Sequence, residues 1–176
     1  MDTPVVLITG ALTGIGRATA IAFAKKGAKV VVAGRRDEAG KALAKELRSF
    51  GSEAEFINAD VRKEYEVRAL VDKTVARFGR LDVAVNNAAT EGQVGPITDQ
   101  TAESFDATFE TNVLGVVLSM KHEVRAMQAQ GSGSIINIRP MGTRARPGPR
   151  STSAPSTPSK ASPSRWRSKP PSREFA

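Results

Sequence analysis

From Val5 to Ile138 the chain alternates short, continuously apolar runs with longer stretches in which apolar residues recur every three or four positions. A continuous β-branched run suits a strand buried on both faces, and the three-to-four spacing marks an amphipathic helix. Residues 5–9 (VVLIT) predict a first strand ending at Gly10, and Ile15, Ala18, Ala22 and Phe23 predict a helix behind it. Residues 29–33 (KVVVA) predict a second strand, 37–50 a helix closed by Gly51, 54–58 a third strand, 63–78 a helix ended by Gly79, and 81–85 a fourth strand. Residues 101–130 read as helix with a break near Thr111 and Asn112, and 134–138 (SIINI) as a fifth strand. Strands and helices alternating at this pitch predict an α/β fold, a doubly wound parallel sheet of about five strands with right-handed crossovers.

After Ile138 the pattern stops. Residues 139–176 hold eight of the ten prolines and no sustained apolar period, which predicts a disordered tail behind a folded unit at 1–138. Charge divides at the same boundary. Residues 1–138 carry 17 basic and 17 acidic residues, whereas the tail carries nine basic residues against Glu174, so the net charge of +8 belongs to the tail. Polyanion binding would therefore be a property of the tail, and with Trp166 its only aromatic residue before Phe175, nucleic acid is not the expected partner. The absence of cysteine and the single histidine exclude a disulfide framework and a Cys/His metal site, so no metal is expected. His122, on the helix that carries Val116 and Met120, reads as a surface residue. No basic-flanked apolar leader is present and no apolar run approaches ~20 residues, so neither a signal peptide nor a membrane span is expected, and the cytoplasm is the expected location.

Three glycines stand between the first strand and first helix, in Thr9-Gly10-Ala11-Leu12-Thr13-Gly14-Ile15-Gly16. Such glycines permit a tight turn, a close backbone approach to a pyrophosphate and close helix–strand packing, while the helix N-terminus offers free N–H groups to phosphate. The TGxxxGIG pattern at 9–16, Asp60-Val61, Asn86-Asn87-Ala88-Ala89 and Asn112 together resemble the fingerprint of the short-chain dehydrogenase/reductase family, in register from residue 4 to residue 138. Ala89 stands where the family usually has glycine.

The resemblance implies a Rossmann-like fold, here incomplete, and an NAD(P)-dependent oxidoreductase that interconverts an alcohol and a carbonyl compound. It implies that Gly10, Thr13, Gly14, Ile15 and Gly16 take the pyrophosphate, that Asp60 meets the adenine edge with Val61 flanking the ring, and that Asn86 and Ala88 line the path to the nicotinamide. Asn112 would be the asparagine of the catalytic helix. Read without the family, Asp60 could instead be a helix N-cap, Asn86-Asn87 a strand-terminal turn, and Asn112 a polar helix residue. At the end of the second strand, Gly34-Arg35-Arg36 stands where NAD-preferring members carry an acid for the ribose hydroxyls, and either guanidinium could pair with a 2′-phosphate. NADP is therefore expected ahead of NAD, the alternative being that both arginines are solvated surface charge. The resemblance also implies a homo-oligomer, with the interface at the 112–130 helix incomplete here.

The family's proton-transfer residues are missing. A tyrosine, a lysine four positions on and a serine after the fifth strand would be needed, but the only tyrosine is Tyr65, followed at that spacing by Ala69, and Arg139-Pro140 follow the SIINI strand. Loss of such an acid/base group typically removes ~10²–10⁴-fold of rate, so the chain as written is expected to be an inactive oxidoreductase, the alternative being a non-catalytic nucleotide-binding protein. A shifted reading frame would account for the tail, the alternative being a native basic tail: joining the third base of each codon to the first two of the next, with codon choice free, residues 151–176 can be re-read as IYVGAKHAVEGFTESVALEAAKSGIR, a segment that resembles the family's YxxxK segment. The shift would begin near residues 141–150 and leaves Arg139-Pro140 unrepaired.

Overall fold

The computed structural model describes residues 3–93 and 95–138. The tail, with its expected disorder and the re-read 151–176 segment, lies outside the described residues. The elements run β1 (Val5–Thr9), α1 (Gly14–Lys25), β2 (Lys29–Gly34), α2 (Asp37–Ser49), β3 (Ala54–Asn58), α3 (Glu64–Phe78), β4 (Val83–Asn86), α4 (Ala102–Phe109), α5 (Gly115–Gln130) and β5 (Ser134–Asn137). All strand pairs are parallel, in the order β3-β2-β1-β4-β5. This is the doubly wound parallel sheet that the alternation predicts and the Rossmann-like fold that the resemblance implies.

Strand parity sorts the core into two layers. Val6, Ile8, Val30, Val32 and Val85 pack with Ala20 and Ala24 of α1 and Leu43, Ala44 and Leu47 of α2. Leu7, Val31, Ala33, Ile57 and Ala84 pack on the other side with Leu70 and Val71 of α3 and Met127 of α5. Each face thus has its own pair of helices, which is why the strands read as continuous apolar runs.

Local chemistry explains three departures from the sequence expectations. The fourth strand begins at Val83, two residues late, because the Gln130 side chain takes the place of a ladder at Leu81: Leu81 N–H donates to its Oε1 and Leu81 C=O accepts from its Nε2, at 3.0 and 2.7 Å. The expected break near Thr111 and Asn112 is a single π-helical turn, Glu110–Leu114, that joins α4 to α5 without interrupting the helix. His122 is not a surface residue. It is 4% exposed, because α5 packs on α3 along this side, with Nε2 3.4 Å from Oε1 of Glu64. Among the described residues, no helix is long and apolar enough to cross a membrane and no cluster of His, Cys, Asp and Glu could hold a metal ion.

Candidate functional site

In an open parallel sheet the strand order reverses at one point, and the crevice there opens at the carboxyl ends of the diverging strands. Here the reversal lies between β1 and β4. Register brings the strand ends into one row: Asn137 beside Asn86, Asn86 beside Thr9, Thr9 beside Ala33, and Gly34 beside Asn58. Nearly every motif residue singled out in the sequence lies on or just beyond this row.

The β1–α1 turn crosses the crevice in close contact with the end of β4. Gly10 has φ +62°, and a Cβ there would lie 2.6 Å from Ala88 Cα. A Cβ on Gly16 would lie 2.4 Å from Asn87 Nδ2 and 2.6 Å from the Gly10 carbonyl. Asn87 is the clamp: its Nδ2 donates to the carbonyls of Gly10 and Thr9 at 2.9 and 3.4 Å. The Thr9 hydroxyl oxygen completes it by accepting from the N–H groups of Asn87 and Ala88. Thr13 stands at the N-cap of α1 in extended conformation with its side chain making no cap bond, and no acid lies in the first turn. Gly14 and Ile15 open the helix and are exposed. The N-terminal N–H groups of α1 therefore face outward with neither a capping oxygen nor a repelling carboxylate, as an anion site requires.

Beyond β2, Gly34 packs on Leu12, and the Arg35 side chain is 69% exposed with Nη1 3.9 Å from Oδ2 of Asp60. Arg36 is exposed at the N-cap of α2. Asn58 anchors this corner by donating to Asp37 Oδ1 at 2.6 Å and to the Arg35 carbonyl at 3.3 Å. Asp60 is not the N-cap of α3, a position held by Lys63. Its carboxylate instead accepts from Arg62, from Nε at 3.0 Å on Oδ1 and from Nη2 at 2.6 Å on Oδ2. That guanidinium holds the Asp60 carboxyl below its ordinary range, so it stays ionised as an acceptor. Val61 is buried with Val67 and Leu118, Ala88 packs against this cluster, and the absence of a side chain on Gly115 lets Val61 lie against the start of α5.

At the end of β4, Asn86 is buried, and its Nδ2 donates to Oε2 of Glu123 and Oδ1 of Asn137, both at 3.0 Å. Burial pushes the Glu123 carboxyl up to about 7, opposed by the hydrogen bond from Asn86. Asn112, within the π turn, ties down the segment after β4: its Oδ1 accepts from Thr90 N–H and its Nδ2 donates to Thr90 C=O, each at 2.8 Å. A π turn widens the helix by one residue and recurs at functional sites.

The structure therefore gathers Gly10, Thr13, Gly14, Ile15, Gly16, Asn86 and Ala88 at the reversal point, sets Arg35, Arg36, Asp60 and Val61 to one side beyond β2 and β3, and brings Asn112 to the far side through Thr90. Tyr65 lies on α3, 68% exposed, donating to Oε1 of Glu66. Sequence reasoning assigned no role to Asn58, Arg62, Glu123 or Asn137. The only signal for them was a position at a strand end or a polar residue within an otherwise apolar helical face.

A family model described as short chain dehydrogenase matches residues 4–152, running on past Ile138. An uncharacterized oxidoreductase of Thermotoga maritima is 46% identical over 134 residues, covering 76% of this chain and 52% of the relative. Among solved structures, a variant of actinorhodin polyketide ketoreductase with NADPH is similar at TM-score 0.73 and 39% identity, over 77% of this chain and 52% of that one. An NAD+-bound xylitol dehydrogenase is similar at TM-score 0.74 and 34% identity, over 76% and 52%. The chain spans about half the length of the curated relatives it matches. With its sheet order, glycine turn and strand-end residues in register, this chain belongs to the short-chain dehydrogenase family.

Proposed function

We propose that this chain is the dinucleotide-binding half of an oxidoreductase that interconverts an alcohol and a carbonyl compound, with NADP preferred over NAD. The observation that carries the reading is the uncapped N-terminus of α1, set behind the Gly10–Gly16 turn at the reversal of strand order and free of acid in its first turn. These outward N–H groups fit a pyrophosphate. Asp60 and Val61 would hold the adenine, Asn86 and Ala88 the ribose and nicotinamide end, and Arg35, with Arg36 beside it, a 2′-phosphate. When bound, such a cofactor accepts or donates a hydride at its nicotinamide ring.

Preference for NADP rests on Arg35. Its guanidinium is exposed and only 3.9 Å from Asp60, so it can swing to a phosphate without leaving a buried charge behind. The chain contributes Asn112 toward chemistry but no Tyr–Lys pair to hold a proton at the substrate oxygen, so by itself it binds dinucleotide and does not turn over. Calorimetric titration of the purified chain tests the reading. NADPH is expected to bind at least tenfold more tightly than NADH, and Arg35→Ala to erase about tenfold of that difference by weakening NADPH alone, the size of one charge-assisted contact. Equal affinities in the unaltered chain, or no binding of either, would overturn it.

A further inference from the structure

Beneath the carboxyl ends of β4 and β5 lies a buried acid for which the dinucleotide reading has no use. Glu123 is 1% exposed, and among the described residues no cation pairs with it and its one hydrogen bond comes from Asn86 Nδ2, which also bonds Oδ1 of Asn137. Asn86 Oδ1 is buried and has no hydrogen-bond partner. The cluster is thus one carboxyl and two amides, short of donors, at the junction of α5 with the ends of both strands. His122, next in sequence, faces away from it toward Glu64.

An ionised carboxylate would be poorly satisfied by a single amide donor in such surroundings. A neutral carboxylic acid brings one acceptor and one donor to a group that has an acceptor to spare, consistent with the raised position of this carboxyl near 7. An apolar residue of the same volume would cost less to bury, so the acid is better explained by orienting its amide partner Asn86 than by packing. The Asn86–Ala88 backbone is held from the β1 side by Thr9 and Asn87. Glu123 supplies the hold from the α5 side.

We propose that Glu123 is a positioning residue for the nicotinamide end of the dinucleotide: by holding the Asn86 side chain, which in turn donates to Asn137, it sets where β4 and β5 end, and with them the Asn86–Ala88 segment. The proposal rests on the dinucleotide reading above. The adenosine end is built by other residues, Arg35, Asp60 and Arg62, and no hydrogen bond joins these to Glu123. Loss of Glu123 should therefore divide the cofactor in two.

The experiment titrates the full chain and its variants with two probes, NADPH and adenosine 2′,5′-bisphosphate. Glu123→Met, nearly isosteric and without the acceptor, is expected to weaken NADPH about tenfold and to leave the bisphosphate within twofold. Glu123→Gln keeps one acceptor and one donor and should bind both probes as the unaltered chain does. A purely structural role for the acid would lower both affinities together. Equal weakening of the two probes, no weakening of either, or a Gln variant as impaired as the Met variant would overturn the proposal while the dinucleotide reading stands. Failure of the unaltered chain to bind either probe overturns that reading and this one with it. Should Glu123→Met not fold, Asn137→Ala at the exposed end of β5 is expected to show the same selective loss at about threefold, and a uniform loss or none would count against the proposal.

Discussion

A buried carboxyl pushed up to about 7 links stability to pH in a definite direction. In the unfolded chain Glu123 titrates near its ordinary value of 4.5, so between 4.5 and 7 the folded state holds a proton that the unfolded state has released. Its contribution is fully present below pH 4.5 and is lost as pH rises through 7, at a slope of up to about 1.4 kcal/mol per pH unit. Asp60 acts in the opposite sense: held below 3.8 chiefly by the Arg62 guanidinium, it stabilises above that value and loses its effect as acid protonates it. Thermal melts of the unaltered chain should therefore move to lower temperature between pH 5 and pH 7.5, and Glu123→Gln should flatten that dependence. Parallel curves for the two proteins would show that another group carries the effect. None of this was legible in the sequence, where Glu123 is one polar residue beside His122 in a helix. Burial of both follows from how α5 packs against both α3 and the sheet, which periodicity alone does not specify.

At the scale of elements, the β1–α1 turn was legible because its glycines are required by contacts with the β4 end as well as by the path of the chain. Gly16 and Gly14 separate the two requirements. A Cβ on Gly16 meets the Gly10 carbonyl at 2.6 Å, Ala11 Cα at 3.0 Å and the Asn87 amide that clamps the turn, whereas a Cβ on Gly14 meets nothing but stands at φ +53°. Gly16→Ala must displace backbone and should destabilise by about 1–3 kcal/mol, the range for overpacking. Gly14→Ala should cost roughly 1–2 kcal/mol from left-handed strain alone. Urea midpoints read both, and NADPH titration separates them, since only Gly16→Ala opens the clamp between β1 and β4 and should lower affinity more than tenfold. Equal affinity in the two variants would mean that the clamp has no part in the site. Where the elements departed from expectation, a side chain had replaced backbone pairing, as Gln130 does at Leu81, or a helix had absorbed an extra residue, as at Glu110–Leu114. Apolar spacing reports neither.

Across the whole molecule, burial is uneven in a way that sets the order of local opening. β1 is buried at every position and lies between β2 and β4, while β5, with its four residues partly or largely exposed, is an edge strand among the described residues. From Ile97 to Leu114, the 3₁₀ turn Ile97–Asp99, α4 and the π turn contain no buried residue, and Phe105 and Phe109 stack on one another at 4.1 Å while remaining exposed. Segments with few buried apolar contacts open at free energies well below that of global unfolding. Amide hydrogen exchange should therefore find the slowest protons in β1, β2 and β4, with residues 97–114 exchanging first through local opening. Binding that draws on Asn86, Ala88 and the α1 N-terminus must be broken before the sheet unfolds, but the start of α4 can open without it. NADPH at a hundred times its dissociation constant is then expected to raise sheet protection by about 2.7 kcal/mol and to leave the first turn of α4 unchanged. The Thr90–Asn112 pair is the discriminating position, because it couples the segment after β4 to the π turn through two hydrogen bonds. Protection of Asn112 that rises with the sheet would place it within the cofactor-stabilised unit, whereas protection that stays with α4 would separate the asparagine from the site to which the family resemblance assigns it.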